Sequence, residues 1–388
     1  MRYELEIDYS LEEMEASRLR MEARVRFEIM DRAPVNYCVV PRYFAPIFNL
    51  PYLDFFTDVE TQYYWLLQFA KFQIENIPCD ACTSPVIYVH PYFDNVVPPS
   101  AHGAEIGWTP DSPPRAIPVL DTLEKMEHYR APAADAGLRG KVIEWWLSMR
   151  ELASQTRVSF NGVPGRVDVA SLGCNYLSPH MIAVDLVGTD FYWWILEYPE
   201  ACHRFLKAIA ESEIEAEELV RKIDPRPRGE LYGVAEDSAQ ILSPRQFVEF
   251  CIPYSGMMFE RFGAGLQFGR GIHMCGDSSH LLPSLKNELR MTHFDVFGYL
   301  VPPKVAAEKL GGNILMWGNL NPMLMRDGSS EEVRQAAWEC LKALAPCGGF
   351  MLGDGANICP GTPLESFQAV MEAAKAYGTG KDIEPWKK

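Results

Sequence analysis

From Val158 onward, short apolar segments typical of strands alternate with amphipathic segments typical of helices. The clearest helical segments are 199–223 and 329–344, and the clearest strand segments are 314–318 and 348–353. This alternation predicts right-handed βαβ units around a parallel sheet. The glycine patterns of dinucleotide-binding and phosphate-binding loops are absent, so the predicted fold class is α/β, with a closed (β/α)8 TIM barrel as its architecture.

A chain of 388 residues is long enough for two domains, but a barrel of this length commonly forms one. We therefore predict a single domain over residues 1–388. Apolar residues at helical spacing among charged ones in 8–30 predict that residues 1–30 form an N-terminal helical extension, which ends near Pro34.

Composition restricts the classes of partner and compartment. The net charge of −16 argues against nucleic acid or an anionic membrane surface as a partner. No apolar run approaches the roughly 18 residues of a membrane-spanning helix, and the first residues lack the apolar core of a signal peptide. The ten cysteines follow no framework spacing, so we expect reduced thiols and a cytoplasmic protein.

One short motif carries residues that suit a metal. His273 and Cys275 lie two residues apart in the segment 271–276, and side chains at that spacing on an extended chain point to the same face. Imidazole and thiolate are preferred zinc ligands, and strand ends at the mouth of a barrel hold reactive groups. The same pair is also compatible with a buried cysteine beside a structural histidine.

Several other residues are candidates for the site. Glu236 and Asp237 form an acid pair at a predicted strand end, where they serve as ligand or base, or else as solvated capping groups. Asn319 follows strand 314–318, where it donates to a substrate or stabilises the following turn. Asp185 is predicted near the barrel mouth, and Tyr43 belongs to a set of aromatic residues that suit an aromatic substrate.

Two further residues are predicted to contact the substrate. Tyr232 lies in the strand-like segment 231–236, and Asp354 follows the last predicted strand. The proline- and glycine-rich stretch 91–118 is long for a loop in a compact domain, so we expect it to carry function or to cap a pocket.

The chain resembles the uroporphyrinogen decarboxylase superfamily, including its cobamide-dependent methyltransferase branch. Six pieces carry the likeness in order: D-R-A-P-V within 25–35; D-L-V-G at 185–188 with Y-P-E at 198–200; the segment from 233–237 to S-P-x-x-F and P-Y at 253–254; H-M-C-G at 273–276; G-G to G-N-L-N-P within 310–322; and G-G-F to T-P-x-E within 348–365. The likeness covers most of the chain from Asp185 on and the first half only thinly.

In methyltransferases of this superfamily, zinc is bound by an H-x-C pair and a distal cysteine. The resemblance implies that His273 and Cys275 hold zinc here, but the position of the distal cysteine is occupied by Ala356. Three alternatives remain open at this point. Cys359 completes the site, or an acid such as Glu236 or Asp354 does, or the metal has been lost.

The resemblance implies transfer of a methyl group from a small methylated substrate to the Co(I) of a corrinoid (a cobalamin-type cofactor) on a partner protein. An aryl methyl ether is the favoured substrate. Zinc or Asp237 would polarise the ether oxygen. The alternatives are transfer from a methyl-corrinoid to a thiol or folate, decarboxylation, and a non-catalytic corrinoid- or tetrapyrrole-binding protein. Decarboxylation is disfavoured because 41–43 is only a fragment of the tetrapyrrole-binding loop. A homodimer is compatible with the sequence.

Overall fold

The computed structural model of the chain describes residues 3–28, 30–110, 112–173 and 177–378. These residues contain eleven strands: β1 Tyr3–Ile7, β2 Val86–Val89, β3 Glu105–Gly107, β4 Arg115–Ile117, β5 Thr156–Phe160, β6 Val163–Val169, β7 Leu231–Ala235, β8 Phe268–His273, β9 His293–Asp295, β10 Leu315–Leu320 and β11 Phe350–Asp354.

The described residues also contain seventeen α-helices: α1 Leu11–Val25, α2 Pro41–Phe48, α3 Tyr52–Thr57, α4 Val59–Asn76, α5 Val97–Ala101, α6 Leu123–Glu127, α7 Leu138–Ser154, α8 Pro179–Val187, α9 Phe191–Glu197, α10 Pro199–Ile223, α11 Pro244–Phe250, α12 Ile252–Met258, α13 Leu282–Asn287, α14 Pro303–Leu310, α15 Pro322–Asp327, α16 Ser330–Leu344 and α17 Leu364–Gly378. Ser243 and Ser329 begin α11 and α16 with capping boxes. Among these helices, none combines the length and the apolar composition needed to cross a bilayer.

The parallel strand pairs fall in two separate sheets, an arrangement compatible with a barrel. Strands β7, β8, β9, β10 and β11 form one parallel sheet in sequence order, and β2 pairs in parallel with β6. Val35 extends the larger sheet by a parallel bridge to Leu352, and Leu177 extends its other edge by a bridge to Ala235. The α/β prediction is therefore confirmed. Among the described residues, however, the hydrogen-bond ladders do not run continuously around the ring.

The N-terminal segment differs from the predicted helical extension. Helix α1 is present, but residues 3–7 form strand β1, which pairs in parallel with β5. Asp80 fixes this segment to the barrel, because its buried carboxylate accepts hydrogen bonds from Arg20, from Arg32 and from the backbone N–H of Val35. A buried carboxylate needs such paired donors.

The stretch 91–118 is more ordered than its composition predicts. It contains α5 and a hairpin of β3 and β4. Its beginning lies at the carboxyl end of β2, which is the end of the barrel where the candidate site is found.

Candidate functional site

A cavity of about 780 Å³ lies at the carboxyl ends of the parallel strands. Cys38, His90, Cys275 and Asn357 each follow a strand or bridge of the barrel and line this cavity. Residues of helices α4 and α7 form further parts of the cavity wall. Barrel enzymes build their active sites at this end, so the cavity is the candidate substrate site.

Asp237, His273 and Cys275 bring three different ligand atoms together on the cavity wall, and we call them the open cluster. Strands β7 and β8 pair in parallel, and Ala235 at the end of β7 lies opposite His273 at the end of β8. Residues just after β7 therefore lie next to the end of β8. The Nε2 atom of His273 is 3.7 Å from Oδ1 of Asp237, and the backbone N–H of Cys275 donates to the same oxygen at 2.7 Å. One ligand atom from each residue lies within 4.8 Å of the other two.

The donor set of the open cluster fits a zinc ion. Nitrogen, sulfur and oxygen are all zinc ligands, and three protein ligands with one open position are typical of catalytic rather than structural zinc. The side chains of His273 and Asp237 are 15% and 23% exposed, so the cluster is accessible from the cavity. Burial, together with the charge of Asp237, raises the pKa of the Cys275 thiol to about 12. A bound cation would favour the thiolate instead.

The structure brings His273 and Cys275 together as the motif predicts, and the third residue of the cluster is Asp237. Neither Cys359 nor Glu236 belongs to this cluster within the described part of the chain. The sulfur of Cys359 lies 3.7 Å from Sδ of Met323. Glu236 precedes Asp237 directly, but its side chain belongs to a second group.

That second group consists of His180, Glu236 and Cys251, and we call it the sealed cluster. Nδ1 of His180 is 2.9 Å from Oε1 of Glu236, and all three residues are buried. Among the described residues, Nε2 of His180 and Oε2 of Glu236 have no hydrogen-bond partner. Burial, with the charge of Glu236, holds the pKa of Cys251 well above its usual value. None of the three residues lines the cavity.

Asn319 and Asp354 lie behind the cavity wall. The side-chain amide of Asn319 donates to the carbonyl oxygens of Gly298 at 3.1 Å and Val301 at 2.7 Å, so it holds the chain after β9. Asp354 is fully buried, and its Oδ1 accepts the backbone N–H of Cys38 at 2.9 Å. Burial raises the pKa of Asp354 to about 7.

The other predicted substrate contacts lie outside the cavity lining. Tyr43 is 1% exposed and donates to the carbonyl oxygen of Thr362 at 3.2 Å. The ring of Tyr232 packs against Phe262, with the ring centroids 5.6 Å apart. Asp185 is on α8, and burial raises its pKa to about 7.

Sequence reasoning missed a polar group on the cavity wall. Nη2 of Arg42 is 3.6 Å from Oδ2 of Asp94, which also accepts from the Tyr92 hydroxyl at 3.3 Å. Nε of Arg42 is buried and has no hydrogen-bond partner within the described ranges. The imidazole of His90 lies nearby on the wall. The fragment 41–43 was the sequence signal for this group.

Comparison with known proteins identifies the family. Residues 88–377 match the family model of uroporphyrinogen decarboxylase (URO-D). A methylated-thiol–coenzyme M methyltransferase from Methanosarcina mazei is 26% identical over 203 residues, and the match spans 51% of each chain. Uroporphyrinogen decarboxylase from Ovis aries is 25% identical over 297 residues, 74% of this chain and 76% of that one.

Among solved structures, a methyltransferase from Methanosarcina mazei superposes with a TM-score of 0.66 at 18% identity, over 93% of this chain and 98% of that one. At this identity the superposition shows a shared fold. The family model covers most of the chain, including the open cluster and the cavity residues from 88 onward. The chain therefore belongs to the uroporphyrinogen decarboxylase family.

Proposed function

We propose that this protein is a methyltransferase that moves a methyl group from a small methylated substrate to the Co(I) of a corrinoid carried by a partner protein. The observation that carries the proposal is the open cluster, which combines zinc-type ligand atoms with access to a cavity at the catalytic end of the barrel. The similarity to a methylated-thiol–coenzyme M methyltransferase supports methyl transfer as the reaction class.

Zinc held by His273, Cys275 and Asp237 would supply Lewis acidity to the heteroatom that carries the methyl group. The carbon–heteroatom bond would break with its electron pair on the heteroatom, and the methyl carbon would form its new bond to the Co(I) of the partner's corrinoid. No protein nucleophile is required for this reaction. The task of the chain is therefore to bind, to orient and to exclude water.

The cavity wall supports an aryl methyl ether as the first substrate class. Phe44, Phe69, Phe93 and Trp146 provide apolar and aromatic surface, and the volume is within the range of small-molecule sites. Arg42 places a cationic group on the same wall, where its unpartnered Nε would orient a polar ring substituent. The open cluster lines the same cavity, so a flat ring bound there would have its methoxy substituent within the same space.

A methylated thiol is the second candidate substrate. The name of the Methanosarcina mazei relative favours it, and sulfur is a good ligand for zinc. In that case the carbon–sulfur bond breaks, and the same three residues assist the departing thiolate. The two candidates differ in substrate but not in the residues that carry the chemistry.

The test is a methyl-transfer assay with free cob(I)alamin as acceptor and zinc-loaded full-length protein. Substrates from three classes, a methoxybenzene, a methylated thiol and a methylated amine, are compared by the loss of cob(I)alamin absorbance. We expect turnover with a methoxybenzene that is lost in Cys275→Ser and kept in Cys359→Ser. Turnover with the thiol alone would select the second candidate. Decarboxylation of uroporphyrinogen without any methyl transfer would contradict the proposal.

A further inference from the structure

The histidine of the open cluster has a carboxylate residue on each side of its strand. In the larger sheet, β8 lies between β7 and β9. Asp237 follows β7, and Asp295 is the last residue of β9, where it is the register partner of His273. Neighbouring strands are about 4.8 Å apart, and paired residues of a parallel ladder project from the same face of the sheet. The side chains of His273 and Asp295 therefore project side by side.

A second histidine directs Asp295 toward β8. His293 is buried and is the register partner of Gly271, and a Cβ atom on Gly271 would lie 1.8 Å from Nε2 of His293. The ring of His293 thus occupies the space that a side chain at position 271 would fill. The same Nε2 is 3.3 Å from Oδ2 of Asp295. The carboxylate of Asp295 therefore leans over β8, on the face from which His273 projects two residues further along.

The two nitrogens of the His273 ring have different surroundings. Nε2 is 3.7 Å from Oδ1 of Asp237, inside the open cluster, so Nδ1 is the nitrogen that does not face that residue. Asp295 is not a member of the open cluster, and its contact with His293 uses one oxygen and leaves Oδ1 for another donor. A metal-bound imidazole commonly donates its other N–H to a carboxylate, which fixes the tautomer and the ring orientation.

We propose that Asp295 is a positioning residue of the metal centre, whose carboxylate accepts the Nδ1–H of His273 when Nε2 binds the metal. The inference rests on the proposed function, because it assigns a supporting residue to the same site. The hydrogen bond holds the imidazole in the tautomer with its lone pair on Nε2, and the negative charge makes that nitrogen a stronger ligand. Asp295 itself does not bind the metal, so the open position for the substrate is kept.

The test compares the zinc affinity of three variants of the purified full-length protein with that of the wild type. Asp295→Ala removes the acceptor, and Asp295→Asn keeps an uncharged acceptor in its place. Asp277→Asn is the matched control, because Asp277 is an exposed carboxylate two residues after Cys275 and its substitution removes the same charge. We expect zinc affinity, measured by competition with a chelator, to fall about 10–100-fold in Asp295→Ala, by less in Asp295→Asn, and to change little in Asp277→Asn.

A second measurement separates positioning from a general effect of charge or folding. In Co²⁺-loaded protein, the N–H proton of a metal-bound imidazole gives a paramagnetically shifted proton resonance that exchanges with water. We expect one such resonance in the wild type. Asp295→Ala should broaden or lose it, because the proton then exchanges faster. Asp295→Asn should keep the resonance at a different shift, because a neutral amide replaces the carboxylate.

Three results would overturn the inference. The first is wild-type zinc affinity with an unchanged resonance in a folded Asp295→Ala, and the second is equal loss of affinity in Asp295→Ala and Asp277→Asn. The third is an unmoved resonance in Asp295→Asn, which decides the question even where Asp295→Ala does not fold. Each of these leaves the proposed function standing. Failure of the wild type to bind Zn²⁺ or Co²⁺ would instead overturn both the inference and the metal-assisted part of the proposed function.

Discussion

The open and sealed clusters contain the same types of residue, a histidine, a carboxylate and a cysteine, but their surroundings differ. Consecutive residues of one strand end, Glu236 and Asp237, contribute to different clusters. The open cluster faces the cavity, whereas the side chains of His180 and Glu236 are 0% and 1% exposed. The comparison teaches that ligand chemistry alone does not define a reactive site, because a substrate must also reach it.

The two clusters also differ in what they contribute to the protein. A buried histidine–carboxylate pair stabilises the fold only while both partners are present. A partly exposed cluster on a cavity wall contributes little to stability, and its value lies in what it binds. Substitutions in the sealed cluster should therefore affect stability, and substitutions in the open cluster should affect metal binding and catalysis.

The largest expected effect is the loss of methyl transfer in His273→Ala. We expect the rate to fall by at least about 1,000-fold, because Lewis-acid assistance is worth several kcal/mol of transition-state stabilisation. The measurement is the initial rate of cob(I)alamin methylation by zinc-loaded protein. His180→Ala, assayed at a temperature at which it stays folded, is the matched control and should keep most of the rate. Equal losses in both variants would break the distinction between the clusters.

The next effect concerns stability. Glu236→Ala leaves the buried imidazole of His180 without its hydrogen-bond partner, so we expect the free energy of unfolding to fall by up to about 3 kcal/mol. Denaturant unfolding followed by circular dichroism measures it. The neighbouring substitution Asp237→Ala should cost less than about 1 kcal/mol in metal-free protein, since that side chain is partly exposed. A larger loss in Asp237→Ala than in Glu236→Ala would reverse our assignment of the two clusters.

Metal removal should have a smaller effect, confined to the open cluster. At a zinc concentration about 100 times the dissociation constant, binding stabilises the folded state by about 2.7 kcal/mol. Chelation of the wild type should therefore lower its unfolding midpoint, while Asp237→Ala should respond little to zinc or chelator. Thermal unfolding with and without chelator measures this difference. A full response in Asp237→Ala would remove that residue from the ligand set.

The smallest expected effect is the difference in stability between Cys251→Ser and Cys275→Ser in metal-free protein. Cys251→Ser places a hydroxyl in a buried site and should cost about 1–3 kcal/mol. Cys275→Ser should lie within about 0.5 kcal/mol of the wild type, because Cys275 is only partly buried. Parallel denaturant titrations give both values, and equal costs would show that exposure does not distinguish these thiols.

How much of this site could be predicted from the sequence depends on how local each contact is. His273 and Cys275 are two residues apart at a strand end, so alternation of side chains predicted their proximity. The choice between Glu236 and Asp237 was not predictable, because it depends on how the backbone turns after β7. Glu236 has φ −139° and ψ 39°, outside regular strand geometry, and this turn sends consecutive side chains to different clusters.

The fold class followed from the alternation of strands and helices, whereas long-range contacts did not. Strand β1 pairs with β5 across about 150 residues, which no local pattern indicates. Cys38 reaches the cavity through hydrogen bonds to Asp354 and Ile358, more than 300 residues away. Asn319 was predicted to follow a strand but lies within β10, and its amide donates to the carbonyl oxygens of Gly298 and Val301.

The most direct test of the central claim is the zinc content of two neighbouring variants, Asp237→Asn and Glu236→Gln, beside the wild type. Elemental analysis of purified, zinc-equilibrated protein should give about one zinc ion per chain for the wild type and for Glu236→Gln, and much less for Asp237→Asn. That result would place the metal in the open cluster. Loss of zinc in Glu236→Gln with retention in Asp237→Asn, or no zinc in the wild type, would contradict the account.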